Sequence, residues 1–127
     1  MAGEPRGRVL IIDDERTVGS AIGRLLKTAH DVTVTTSAEE ALTLMLGGEL
    51  FDIILCDLMM PTMTGMDLYA ELLRRLPNQA SRMVFLTGGA FTPRARAFLD
   101  EVPNPRLEKP FEIRELLALL GERLSKA

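Results

Sequence analysis

Phe51-Asp52-Ile53-Ile54-Leu55-Cys56-Asp57 is the stretch that decides the fold. Its middle, Ile53 to Cys56, shows little polar alternation, as expected of a central strand covered on both faces. Pro61 to Gly65 reads as a loop, and Met66, Leu68, Tyr69, Leu72, Leu73 and Leu76 recur at helical spacing until Pro77-Asn78. Strand, loop and helix in that order make a βα unit, and the pattern repeats in both directions along the chain.

Upstream, Val9-Leu10-Ile11-Ile12 is followed by Val18, Ile22, Leu25 and Leu26 at helical intervals, with Asp13, Asp14 or Thr17 placed to cap that helix. Val32–Thr35 is a second strand, and Ser37 with Glu40 offers a capping box to a helix that Gly47-Gly48 stops. Downstream, Met83–Leu86 is a fourth strand closed by a Gly88-Gly89 turn. Thr92-Pro93 opens a fourth helix, Pro103-Asn104-Pro105 ends it, Arg106–Glu108 is a short fifth strand, and Ile113, Leu116, Leu117 and Leu120 mark a fifth helix. The expectation is an α/β, doubly wound parallel sheet of five strands with five helices, in one domain spanning 1–127, with roughly residues 1–7 as a flexible lead.

Composition narrows the function. The 127 residues carry 15 Lys+Arg against 18 Asp+Glu, a net charge of −3, which gives no general attraction to nucleic acid or anionic membrane. Cys56 is the single cysteine, so neither an internal disulfide nor a cysteine-rich zinc site is available, and a reducing cytoplasm is the expected compartment. The one histidine, His30, falls in a helix-to-strand turn and reads as a solvated cap residue.

The polar residues fall at telling places. Asp13-Asp14, Asp57 and Thr87 each follow an apolar strand block, and Lys109 closes the fifth. In a parallel sheet these positions gather at one edge, where open α/β folds bind their ligands. Three carboxylates there repel one another unless a cation intervenes, and an all-oxygen set suits Mg²⁺. A lysine and a threonine hydroxyl can neutralise and bond an incoming phosphoryl group, and Asp57, alone at the end of the central strand, is the candidate nucleophile. The bland alternatives are helix caps for Asp13 and Asp14, and turn residues for Asp57, Thr87 and Lys109. Met59, Met60, Met63 and Met66 read as core or loop packing, and Cys56 as inert core on the face opposite Asp57.

"VLIIDDE" at 9–15, "FDIILCDLMMPTMTGMDL" at 51–68, "MVFLTGG" at 83–89 and "LEKPF" at 107–111, in that order, resemble the receiver domain of two-component response regulators over nearly the whole chain. The resemblance implies a flavodoxin-like sheet of order 2-1-3-4-5 and a module that catalyses its own phosphorylation at Asp57. The donor is the phosphohistidine of a sensor histidine kinase or phosphotransfer protein, and the phosphate is slowly lost to water. It further implies Asp13, Asp14, Asp57 and the Met59 carbonyl as Mg²⁺ ligands, Thr87 as a switch hydroxyl, Lys109 as the phosphate partner and a cis Lys109-Pro110 bond. Output is expected through protein contact on the fourth helix, fifth strand and fifth helix, by a monomer or weak dimer. That module is either a stand-alone regulator or the receiver of a hybrid histidine kinase. The family commonly carries an aromatic three residues before the lysine, where this chain has Arg106. That departure sustains an alternative, an interaction module independent of phosphorylation. A haloacid-dehalogenase-like phosphatase is a second rival, although Met59 stands where it would need another aspartate.

Overall fold

A computed structural model describes residues 6–88 and 92–125 of the chain. The strands are β1 (Arg8–Ile12), β2 (Asp31–Thr35), β3 (Ile53–Asp57), β4 (Met83–Thr87) and β5 (Arg106–Glu108), all parallel, in the order β2-β1-β3-β4-β5. The helices are α1 (Arg16–Leu26), α2 (Ala38–Leu46), α3 (Gly65–Arg75), α4 (Pro77–Ala80), α5 (Pro93–Glu101) and α6 (Ile113–Ser125). The expected sheet is present, but the helices number six among the described residues, where the sequence pattern predicts five.

The extra helix is the single turn α4, at the place where Pro77-Asn78 reads as an ending. Pro77 sits in its first turn, where a missing N–H costs nothing. The turn is held by a long-range contact: the buried Gln79 amide accepts from Phe51 N at 2.9 Å and donates to Phe51 O at 3.0 Å. Such a pairing across 28 residues leaves no mark in local periodicity.

Alternation along the strands sends side chains to two cores. Leu10, Ile12, Ile54, Cys56, Met83 and Phe85 pack with α2, α3 and α5, while Val9, Ile11, Ile53, Leu55, Val84 and Leu86 pack with α1 and α6. The three central strands are fully covered, which accounts for the unbroken apolar runs that mark them in sequence. Each aliphatic side chain buried this way contributes about 1.5–3 kcal/mol, so the sheet is the rigid part of the molecule. Tyr69, Phe85 and Phe98 meet edge to face at centroid distances of 5.1–6.0 Å and join α3, β4 and α5.

Three local expectations are corrected. His30 is buried rather than solvated, because Gly7 N donates to its Nδ1 at 3.1 Å; beside it Arg6 pairs with Asp31 at 3.0 Å. Residues 1–5 of the expected lead, and Gly89 of the predicted turn, lie outside the described residues. α1 starts without a side-chain cap at Glu15; Asp13 instead accepts from Glu15 N at 2.9 Å. At α2 half of the capping box forms, with Ser37 accepting from Glu40 N at 3.2 Å, because the Glu40 carboxylate is taken by the Thr35 hydroxyl.

Candidate functional site

The ends of β1, β3, β4 and β5 bring the predicted polar residues together. Asp57 and Thr87 are the last residues of their strands, held in register opposite Leu86 and Glu108, so their positions are set by the sheet itself. Asp13 lies one residue past β1, and its amide donates to Thr35 O at 3.2 Å. Lys109 follows β5, and its amide donates to Thr87 O at 2.7 Å. The Lys109-Pro110 bond is cis.

Carboxylate oxygens of Asp13, Asp14 and Asp57 all lie within 4.8 Å of one another. Asp13 is fully buried and Asp57 nearly so, whereas Asp14 is exposed. Lys109 Nζ is 2.7 Å from Asp13 Oδ2 and 3.7 Å from Asp57 Oδ2. The resemblance makes this lysine the partner of the phosphoryl group; its closer contact in the structure is to Asp13. Met59 N donates to Asp57 Oδ1 at 3.4 Å, and the Met59 side chain is exposed. Among the described residues Thr87 Oγ1 is buried without a hydrogen-bond partner, an arrangement native proteins seldom leave without a purpose.

The electrostatics follow from this crowding. Burial pushes the Asp57 carboxyl up to about 6; Lys109 opposes the rise, Asp13 and the bond with Asp14 add to it, and the Met59 amide again opposes it. For Lys109, burial works against the charge, but the Asp13 hydrogen bond and the charges of Asp57, Asp13 and Glu15 prevail and raise its pKa. Burial, with Asp57 and Asp13 nearby, drives the Cys56 thiol far above its usual range, so it stays protonated core. Three clustered carboxylate oxygens facing one ammonium suit a hard divalent cation, and the donor set offers no sulfur or nitrogen to a thiol-seeking metal.

The neighbouring loop is built to keep this edge open. A Cβ on Gly65 would come within 2.7 Å of Asp57 O and 3.1 Å of Leu58 Cα, both backbone, so glycine alone allows α3 to start this close to β3. Thr64 and Asp67 cap that start reciprocally, at 3.1 and 3.0 Å, and Arg94 of α5 reaches Asp67 at 3.2 Å. This box was readable as Thr-x-x-Asp before an apolar run, and the sequence reading passes over it. Thr62 takes a φ of 69°, unusual for a β-branched residue. Met60 and Met66 are buried and Met63 partly so, packing as expected. Arg106 is exposed at the start of β5.

Residues 9–121 match the response regulator receiver domain family. The chain belongs to that family, the receiver domains of two-component systems. Among curated relatives, this receiver is 34% identical to the sensor kinase CckA of Brucella abortus over 93% of its own length and 12% of that protein. It is 32% identical to the uncharacterized transcriptional regulatory protein YkoG of Bacillus subtilis, over 94% of its own length and 51% of that protein. It thus spans about half or less of these relatives. A putative response regulator from Chloroflexus aurantiacus superposes with a TM-score of 0.79 at 28% identity, covering 95% of this chain and 99% of that one. Among the described residues no helix is long and apolar enough to cross a membrane.

Proposed function

We propose that the receiver takes a phosphoryl group onto Asp57 from the phosphohistidine of a sensor histidine kinase or a histidine phosphotransfer protein. The observation that carries this reading is the clustering of three carboxylates at the carboxyl edge of the sheet, two of them, Asp13 and Asp57, on one ammonium. Asp13, Asp14, Asp57 and the Met59 carbonyl would hold Mg²⁺. When bound, Mg²⁺ supplies positive charge that offsets the carboxylate repulsion and draws charge from the phosphoryl oxygens.

An Asp57 oxygen attacks phosphorus; the P–O bond forms as the donor P–N bond breaks, and the imidazole nitrogen keeps the bonding pair. Lys109 exchanges part of its contact with Asp13 for a phosphoryl oxygen, and the Thr87 hydroxyl gains the acceptor it lacks. Water later attacks phosphorus, returning the Asp57 carboxylate and inorganic phosphate. Redistribution of Lys109 and Thr87 biases the α5–β5–α6 surface, the fourth-helix to fifth-helix face of the sequence reading, between two populations that a downstream protein distinguishes. The working setting is cytoplasmic, as a monomer or weak dimer, in a stand-alone single-domain regulator or a hybrid kinase; the sensor kinase among the relatives supports the second form.

Acetyl phosphate with Mg²⁺, followed by intact mass, tests the reading: a phosphoryl mass gain that Asp57→Asn abolishes is expected. No gain on folded protein overturns it, and multiple turnover of p-nitrophenyl phosphate would point to a phosphatase instead. Exposed Arg106 favours a second reading, recognition of a partner without phosphorylation. A partner affinity that is unchanged by phosphorylation and reduced in Arg106→Ala would establish it.

A further inference from the structure

The amino end of the sheet carries a second polar constellation. Asp52 precedes β3, Ser81 and Arg82 precede β4, and Arg123 reaches them from the last turns of α6; the four line a cavity of about 210 Å³. Arg123 Nη2 donates to Ser81 O at 2.7 Å, and Arg82 Nη1 donates to Asp52 O at 3.4 Å. Each guanidinium is thus steered by a main-chain carbonyl, with most of its donors left over. The Asp52 carboxylate is engaged elsewhere, accepting from Arg8 N at 2.9 Å. Among the described residues no carboxylate oxygen lies within 4.0 Å of either guanidinium.

A second cavity, of about 270 Å³, adjoins the first by sharing Ser81 and Arg123. Its other walls are Tyr69 and Leu73 of α3, Pro77, Pro103 and Asn104, a surface that is mainly apolar. Leu73 is 53% exposed there. The wall is firm, because Asn104 Nδ2 donates to Ala80 O at 2.8 Å and Met83 O at 2.9 Å, tying the loop before β5 to the start of β4.

We propose that the two cavities form one site for a small organic monoacid, with an aromatic or branched aliphatic body seated against Tyr69, Leu73 and the two prolines. Its carboxylate sits between Arg82 and Arg123. Planar guanidinium forks match a carboxylate, and two of them with no other anionic partner give the site its sign. The joined cavities are large enough for a ring with a short arm. Asp52, on the same wall, selects against ions of higher charge such as phosphate. The site is at the opposite pole of β3 and β4 from Asp57, so occupancy does not compete with phosphorylation.

Titration of the full chain with phenylacetate, followed by amide shifts in ¹H–¹⁵N spectra, tests this. Saturable shifts are expected at Ser81, Arg82, Arg123 and Asn104, with phenylacetamide and inorganic phosphate each binding about tenfold or more weakly, the size of one lost charge-assisted bond. Arg82→Gln and Arg123→Gln should weaken phenylacetate to a similar degree, with spectral dispersion reporting that each variant folds. Arg82 makes one long bond, so that variant carries the arm if Arg123→Gln does not fold. Absence of saturable shifts, equal shifts from phenylacetamide or phosphate, or undiminished binding in a folded arginine variant overturns the proposal.

Discussion

The same strands end in two different chemistries. At their amino ends main-chain groups find partners inside the protein, Gly7 N with His30 Nδ1 and both groups of Phe51 with Gln79, and at the surface Arg8 N with Asp52; among the described residues Asn104 Oδ1 is the buried atom there left without one. At their carboxyl ends two buried carboxylates share one lysine, and a buried threonine hydroxyl has no partner among the described residues. The first end satisfies these main-chain groups within the chain, whereas the second concentrates its buried charge and an unpartnered hydroxyl at one place. Stability and function are thereby separated along about five residues of strand, and local conflict is concentrated where a ligand can relieve it.

Substitutions at the two ends should therefore act in opposite directions. The largest effect is at the site: Asp57→Asn is expected to eliminate phosphoryl mass gain outright. Because the folded state holds the Asp57 pKa above its unfolded value, ionisation at neutral pH opposes folding, and removing the charge should stabilise the cation-free protein by about 1–2 kcal/mol. Thermal melts in EDTA and in Mg²⁺ check this, since Mg²⁺ should raise the Tm of the parent chain more than that of the variant. An Asn variant less stable than its parent in EDTA would break the contrast between the two ends.

At the matched end, Gln79→Ala leaves both Phe51 groups without partners in a buried place. A loss of about 2–4 kcal/mol in urea denaturation is expected, with phosphorylation retained under native conditions. A smaller gain should come from Thr62→Gly, which relieves the positive φ in the loop beside the site, by about 1 kcal/mol less its entropy cost. Smallest is the α3 cap. Hydrogen bonds from Thr64 and the Arg94 contact hold the Asp67 pKa below its usual value, so its contribution is full above the unfolded carboxylate range and fades as pH falls through the lower folded one. Parent and Asp67→Asn melts compared between neutral and acidic pH should converge at the acid end.

Most of the fold was legible because the central strands are covered on both faces and must be unbroken apolar runs; β1, β3 and β4 could hardly read otherwise. The gathering of Asp13, Asp57, Thr87 and Lys109 was legible because a parallel sheet collects its strand ends, so that their order in the chain sufficed to place them together. What escaped depends on partners distant in sequence. α4 rests on Gln79 meeting Phe51, and His30 is buried because Gly7 folds over it. Propensity cannot report such contacts, because no local pattern is disturbed by them.

The short fifth strand has a consequence for how copies of this molecule coexist. β5 pairs on one side with β4 and presents its other edge outward, yet it is three residues long and stands between Pro105 and Pro110. Prolines cannot donate to an added strand, and the charged Arg106 and Glu108 side chains crowd that edge. That edge is a poor template for strand addition, so edge-to-edge pairing of two copies through β5 is disfavoured even though the sheet interior is among the most apolar sequence in the chain.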